Sequence, residues 1–152
     1  MDASHELVGA FTEAVPTTLR EMAGVEAIVR DSRPGVMADL SADLVAAVGL
    51  TMADREGRVE LCLPERTAVE LARRVLAGAV DRPTADLVRD CMGEVANVAA
   101  GQAKALLVGT ASHFVLSTPV VRAGGRAGGP AGWWIRFESE AGEFGVHLRP
   151  QA

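Results

Sequence analysis

From the start of the chain the apolar positions Leu7, Val8, Phe11, Val15, Leu19 and Met22 recur at steps of three and four, the spacing that gathers side chains on one face of a helix. Ser4 stands where a capping hydroxyl belongs and Gly24 where a left-handed residue ends the last turn. Pro16 lies inside this pattern. Its ring deletes the bond to the Thr12 carbonyl and crowds the preceding turn, so a kink or two shorter helices are expected there. Glu26 to Arg30 reads as a short strand, and Asp31 to Gly35, with Pro34 and Gly35, as a turn-forming loop.

The period then shortens to two or less. Leu44 to Met52 and Arg58 to Leu63 are extended runs of Val and Leu, joined through Ala53-Asp54-Arg55-Glu56-Gly57, a hairpin connection. Pro64 closes the second run, and Glu65 to Ala77 returns to helical spacing with Val69, Ala72, Val75 and Leu76 inward and Gly78 past its end. Thr84 to about Val108 is the most strongly helical stretch, rich in Ala, Leu, Val and Met, with Thr84 as its cap. Phe114 to Ala123, Trp133 to Glu138 and Phe144 to Leu148 are extended. They are connected by a Gly-rich segment from Gly124 to Gly132 and a tight turn near Ala141-Gly142. Helices and hairpins in this order predict an α+β fold, a two-layer, mainly antiparallel sheet with helices packed on one face.

Length and composition bound what such a fold does. A chain of 152 residues suits one compact domain, here residues 1–152. The 15 Lys and Arg are interleaved with 20 Asp and Glu and aromatics are scarce, so the basic stripe and stacking platforms of a nucleic-acid binder are missing. The start Met1-Asp2-Ala3-Ser4-His5-Glu6 lacks the basic and apolar regions of a secretory signal, and no stretch stays apolar for the length of a bilayer; no membrane association and a cytoplasmic location are expected. Cys62 and Cys91, without CxxC spacing, read as packed thiols.

On a helical wheel, Leu87, Val88, Cys91, Met92, Val95, Val98, Ala99 and Leu106 form one broad stripe expected to face the sheet. Glu94 and Asn97 fall on the other side, one turn apart on an exposed ridge. Gly93 and Gly101 share that side, and each costs the helix about 1 kcal/mol relative to Ala. Their missing side chains would lower the surface around Asn97 and let another backbone come close. Asp90 and Lys104 extend the ridge at either end. Gln102 falls by wheel position among the apolar residues, where its amide needs a partner: a neighbouring backbone or a subunit contact.

The run Gly93-Glu94-Val95-Ala96-Asn97-Val98-Ala99-Ala100-Gly101-Gln102-Ala103-Lys104 resembles the signature helix of the CheC, CheX and FliY family of chemotaxis phosphatases, a Glu-x-x-Asn pair followed by small residues and Gly. Asp43-Leu44-Val45-Ala46-Ala47-Val48-Gly49-Leu50-Thr51, the strand from Gly57 to Leu63, the helix opening Pro64-Glu65-Arg66-Thr67-Ala68 and the order of elements resemble the CheX branch over nearly the whole chain. CheC and FliY carry a second Glu-x-x-Asn in the first helix. Here Glu13 is followed three residues later by Pro16, so the resemblance implies one active face per chain.

That resemblance implies a hydrolase, a protein phosphatase of two-component signalling that acts on the phosphoaspartate of a CheY-like response-regulator receiver domain. Glu94 and Asn97 would be the catalytic pair, with Asn97 orienting the attacking water and Glu94 docking to the receiver lysine. Asp90, Gly93, Gly101 and Lys104 would border the partner. It implies no cofactor or metal on this chain, Mg²⁺ being expected in the partner receiver, and a possible homodimer through sheet-edge pairing. The alternatives are a non-catalytic receiver-binding adaptor in a chemotaxis or flagellar-switch assembly, and an unrelated two-layer structural domain.

Other constellations carry less. His5, His113 and His147 have no ligand spacing. Ala123-Gly124-Gly125-Arg126-Ala127-Gly128-Gly129 joins two strands and lacks Gly-Lys-Ser/Thr, so it reads as a hairpin loop rather than a phosphate cradle. No Gly-x-Ser-x-Gly surrounds any serine. Trp133 and Trp134 should point to opposite sheet faces, one to the core and one to a surface or interface.

Overall fold

The structure, a computed structural model, describes residues 3–35, 39–126 and 132–150. In chain order these form α1 (Ala3–Ala23), β1 (Ala27–Pro34), β2 (Ser41–Thr51), β3 (Glu56–Leu63), α2 (Glu65–Val75), α3 (Ala85–Leu106), β4 (Val115–Leu116), β5 (Val120–Arg126), β6 (Trp133–Ser139) and β7 (Gly142–Pro150). The strands make one seven-stranded sheet in the order β1-β6-β7-β3-β2-β4, with β5 also paired to β2. The pairings are antiparallel. This is the α+β architecture expected, with the helices on one face.

Several boundaries differ from expectation for identifiable reasons. α1 runs as one helix through Pro16. The hydroxyls of Thr12, Thr17 and Thr18 donate to the carbonyls of Val8, Glu13 and Ala14, adding local bonds on both sides of the proline, and the buried Phe11, Ala14, Val15 and Leu19 hold both halves on the core. Gly24, at φ +63°, ends the helix as expected, its N–H donating to the Arg20 carbonyl at 3.1 Å in an αL cap. β1 continues through the anticipated loop to Pro34, because β6 offers a full-length partner across a register shift between Val29 and Asp31. The extended run Phe114 to Ala123 is split into β4 and β5: Ser117 still meets β2, its N–H donating to the Gly49 carbonyl at 3.0 Å and its hydroxyl accepting from Gly49 N–H at 2.8 Å, but Pro119 has no amide hydrogen for a ladder. The Gly-rich residues 127–131 and the side chain of Ser4 lie outside the described residues.

Between sheet and helices lies the main core, with Phe11, Phe114, Met92, Leu63, Leu71, Ile135 and Phe144 all below 2 % exposed. Each such large side chain contributes roughly 1.5–3 kcal/mol on burial. α2 is fixed to β7 where the Thr67 hydroxyl donates to the Glu143 carbonyl at 2.8 Å. A Cβ on Gly142 would stand 2.5 Å from that hydroxyl at φ +127°, so the turn before β7 needs glycine.

The opposite sheet face has a smaller core of its own, formed by Leu40, Ala42, Val45, Cys62 and Trp134. The two tryptophans do point to opposite faces, yet Trp134 is fully buried on the helix-free side and Trp133 packs half-buried against the main core. Neither is left as a bare surface ring.

Candidate functional site

α3 is set by its start, its seam with α1 and its approach to the sheet. The Thr84 hydroxyl accepts from Leu87 N–H at 3.2 Å, capping the helix as expected. Asp86 in the first turn and Lys104 in the last complement the helix dipole. Gln102 Nε2 donates to Glu21 Oε2 on α1 at 3.0 Å, so its partner is a neighbouring side chain rather than a backbone group. The buried arc is also rotated from the stripe expected. Ala96, Ala99, Ala100 and Ala103 are buried, Leu87 and Val98 are half-buried, and Leu106 is 47 % exposed. Small residues fill the close-packed space that α1 and the sheet leave around the helix.

That rotation leaves Glu94 exposed and Asn97 half-buried, one turn apart on the outer ridge. Among the described residues neither side chain engages a hydrogen-bond or salt-bridge partner, so a carboxylate and a carboxamide are presented uncommitted. Asp90 is exposed and Lys104 half-buried along the same helix. The two glycines serve different ends. Around Gly101 a Cβ would meet nothing within 4 Å, whereas on Gly93 it would stand 3.1 Å from Val121 Cγ2. Gly101 thus leaves the ridge low beside Asn97, and Gly93 lets β5 pack against the helix.

Beside Glu94 an open groove runs between α3 and the β4–β5 connection, lined on the helix by Asp86, Arg89, Asp90 and Glu94 and on the other wall by Pro119 and Val121, with Gly93 at its floor. Three carboxylates face one guanidinium there, a charge balance suited to a cationic side chain of a partner. Pro119, Val121, Asp86 and Arg89 were not singled out from the sequence. The break that Pro119 imposes on an otherwise extended run was the available signal.

Among the described residues neither cysteine is poised as a nucleophile. The Cys91 thiol is pushed up by burial and then by Asp90, and the Cys62 thiol is pushed up to about 12, chiefly by burial. Both are free and buried, as packed thiols. Among the described residues no group of His, Cys, Asp or Glu is arranged to hold a metal ion. No described helix is long and apolar enough to cross a membrane.

A two-layer antiparallel fold whose long helix offers an unengaged Glu-x-x-Asn pair belongs to the chemotaxis phosphatase class in form, and the comparisons make this specific. The family model "Chemotaxis phosphatase CheX" matches residues 44–129, more than half of the chain and all of α3. The chain belongs to the CheX family. Among solved structures, CheX from Desulfovibrio desulfuricans is 25 % identical with a TM-score of 0.80, covering 96 % of this chain and 99 % of that one. CheX from Vibrio vulnificus is 23 % identical with a TM-score of 0.79 over 96 % and 99 %. The Borrelia burgdorferi CheX-CheY-BeF3-Mg complex is 21 % identical with a TM-score of 0.76 over 95 % and 97 %. No curated protein matches the sequence.

Proposed function

We propose that this chain hydrolyses the phosphoaspartate of a CheY-like receiver domain. The observation that carries this reading is the uncommitted Glu94–Asn97 pair on the outer ridge of α3, within the stretch matched by the CheX family model. A phosphorylated receiver brings its own divalent metal, lysine and phosphoryl group, so what remains to be supplied is a held water and a fixed approach. The Asn97 carboxamide enters the receiver site and orients a water in line. Water attacks phosphorus, the bond to the aspartate oxygen breaks, and inorganic phosphate and a free carboxylate result. Asn97 does not titrate and acts by position.

Glu94 pairs with the receiver lysine through a charge-assisted hydrogen bond, with Asp86 and Asp90 drawing that cation into the groove. Asp90 and Lys104 border the partner at either end, and Gly101 leaves room for its backbone beside Asn97. Mg²⁺ belongs to the receiver. A homodimer is part of the same reading: β1 ends the sheet and exposes Ile28 at 53 % and Val29 at 38 %, an edge able to add a strand.

The test is phosphate release from receivers prephosphorylated with a small-molecule donor, with the wild-type chain, with Asn97→Ala and with no addition. Faster decay that Asn97→Ala abolishes supports hydrolysis at α3. Unchanged decay with binding retained would make the chain a receiver-binding adaptor instead.

A further inference from the structure

On the helix-free face of the sheet three guanidiniums converge on one carboxylate. Glu60 Oε2 lies 3.3 Å from Arg58 Nη2 and 3.2 Å from Arg122 Nη2, and Glu60 Oε1 lies 3.5 Å from Arg149 Nη1. Arg58 and Arg149 are direct partners across β3 and β7, and like charges set opposite one another destabilise a sheet. Glu60 offsets that repulsion only in part, since three fixed positive charges stand against one negative. The next carboxylate on this side of β3, Glu56, is exposed and forms no ion pair with the three arginines among the described residues.

The excess positive charge is open to solvent. Glu60 is buried, whereas the side chains of Arg58, Arg122 and Arg149 remain 38 %, 52 % and 31 % exposed. Each guanidinium carries five N–H donors in a planar fork and turns one nitrogen to Glu60, which leaves the outer donors unused. On β2 the residues opposite Glu60 and Arg58 are Ala47 and Gly49, and Arg122 reaches Glu60 across that strand from β5. No long side chain of β2 therefore stands opposite Glu60 or Arg58, and the three forks share one shallow surface.

A compact, highly charged anion fits this arrangement. An extended acidic peptide sets its same-side carboxylates about 7 Å apart, too widely for forks that meet around a single carboxylate. One phosphate has too few oxygens to engage all three. A diphosphate group spreads its oxygens over the width of the cluster, and phosphate oxygens accept from an arginine fork in pairs. We infer that Arg58, Arg122 and Arg149 form a binding site for a diphosphate group, free or carried by a nucleotide. The site lies on the opposite side of the sheet from Glu94 and Asn97 and is independent of receiver hydrolysis.

Calorimetric titration of the full chain in metal-free buffer tests it, with pyrophosphate, ADP, orthophosphate and a tetra-aspartate peptide as probes. Pyrophosphate or ADP should saturate one site; tighter binding of ADP assigns the group to a nucleotide, and tighter binding of pyrophosphate assigns the free ion. Orthophosphate and the peptide should bind about tenfold more weakly than the better probe, each forgoing at least one charge-assisted contact. Arg122→Gln and Arg149→Gln, in chains whose far-UV circular dichroism is unchanged, should each weaken that probe about tenfold for the same reason. Arg74→Gln, on α2, should leave its affinity as in wild type. Saturation by neither diphosphate, peptide binding as tight as theirs, an equal loss in Arg74→Gln, or unaltered affinity in folded Arg122→Gln and Arg149→Gln chains would overturn the proposal. Should both of these variants fail to fold, the four-probe comparison on the wild-type and Arg74→Gln chains decides alone.

Discussion

The two faces of this molecule treat charge in opposite ways. On the helix-free face Glu60 is 3 % exposed and ringed by Arg58, Arg122, Arg149 and His147 at 3.2–3.5 Å. Burial pushes its pKa upward; the hydrogen bond with His147 and the charges of Arg58, Arg149 and Arg122 together outweigh it, and its pKa falls to about 2. His147 in turn stacks on Trp134 with ring centroids 4.0 Å apart. On the helical face, Glu94 and Asn97 are bound to nothing within the described residues. Buried charge that is fully partnered holds a fold together, whereas polar groups left uncommitted on a rigid helix are available to another molecule.

The largest way to break this contrast is Glu60→Ala. It leaves His147 and the arginines facing each other without their carboxylate, and should cost about 3 kcal/mol in urea unfolding while leaving the geometry of α3 intact in whatever remains folded. The same group sets a pH dependence. Because its folded pKa is depressed from 4.5 to about 2, its stabilisation is complete above the unfolded value and is lost as pH falls through 4.5 towards 2. Urea midpoints of the wild type should therefore drop over that window more steeply than those of Glu60→Gln.

Asn97→Ala should do the reverse, lowering receiver dephosphorylation about 100-fold through lost positioning. Its unfolding free energy should stay within about 1 kcal/mol of wild type. A parallel loss of stability and turnover in this variant would erase the distinction between the two faces. The smallest effect separates the glycines. Gly101→Ala, entering open space, should raise the unfolding free energy by about 1 kcal/mol from helix propensity alone, with any cost appearing as weaker receiver binding in a titration. Gly93→Ala should gain less, because its Cβ would press on Val121 at 3.1 Å.

The helical face was the legible one. The three- and four-residue spacing of α1, the Thr84 cap and the ridge placing Glu94 beside Asn97 all follow from local periodicity, and each stands where the pattern puts it. The splitting of Phe114 to Ala123 and the extension of β1 to Pro34 depend on partners far along the chain, which periodicity does not encode. The rotated arc of α3 was missed for a related reason. A wheel weights Leu106 and Val98 by hydropathy, while burial in the folded chain follows which arc α1 and the sheet cover. The cluster around Glu60 was invisible because its members are brought together from β3, β5 and β7 by strand pairing across the sheet.

The sheet order has a consequence for how the chain comes to be folded. β2 and β3 are neighbours in sequence and can pair as soon as both exist, but β1 pairs only with β6, and Arg30 meets Glu138 across 108 residues of chain. Pairings of such long range form late, because the loop must be closed before any bond rewards it. During synthesis β1 therefore waits unpaired until β6 has followed it; in that interval its charged residues Arg30, Asp31 and Arg33 are what discourage it from pairing with the wrong strand.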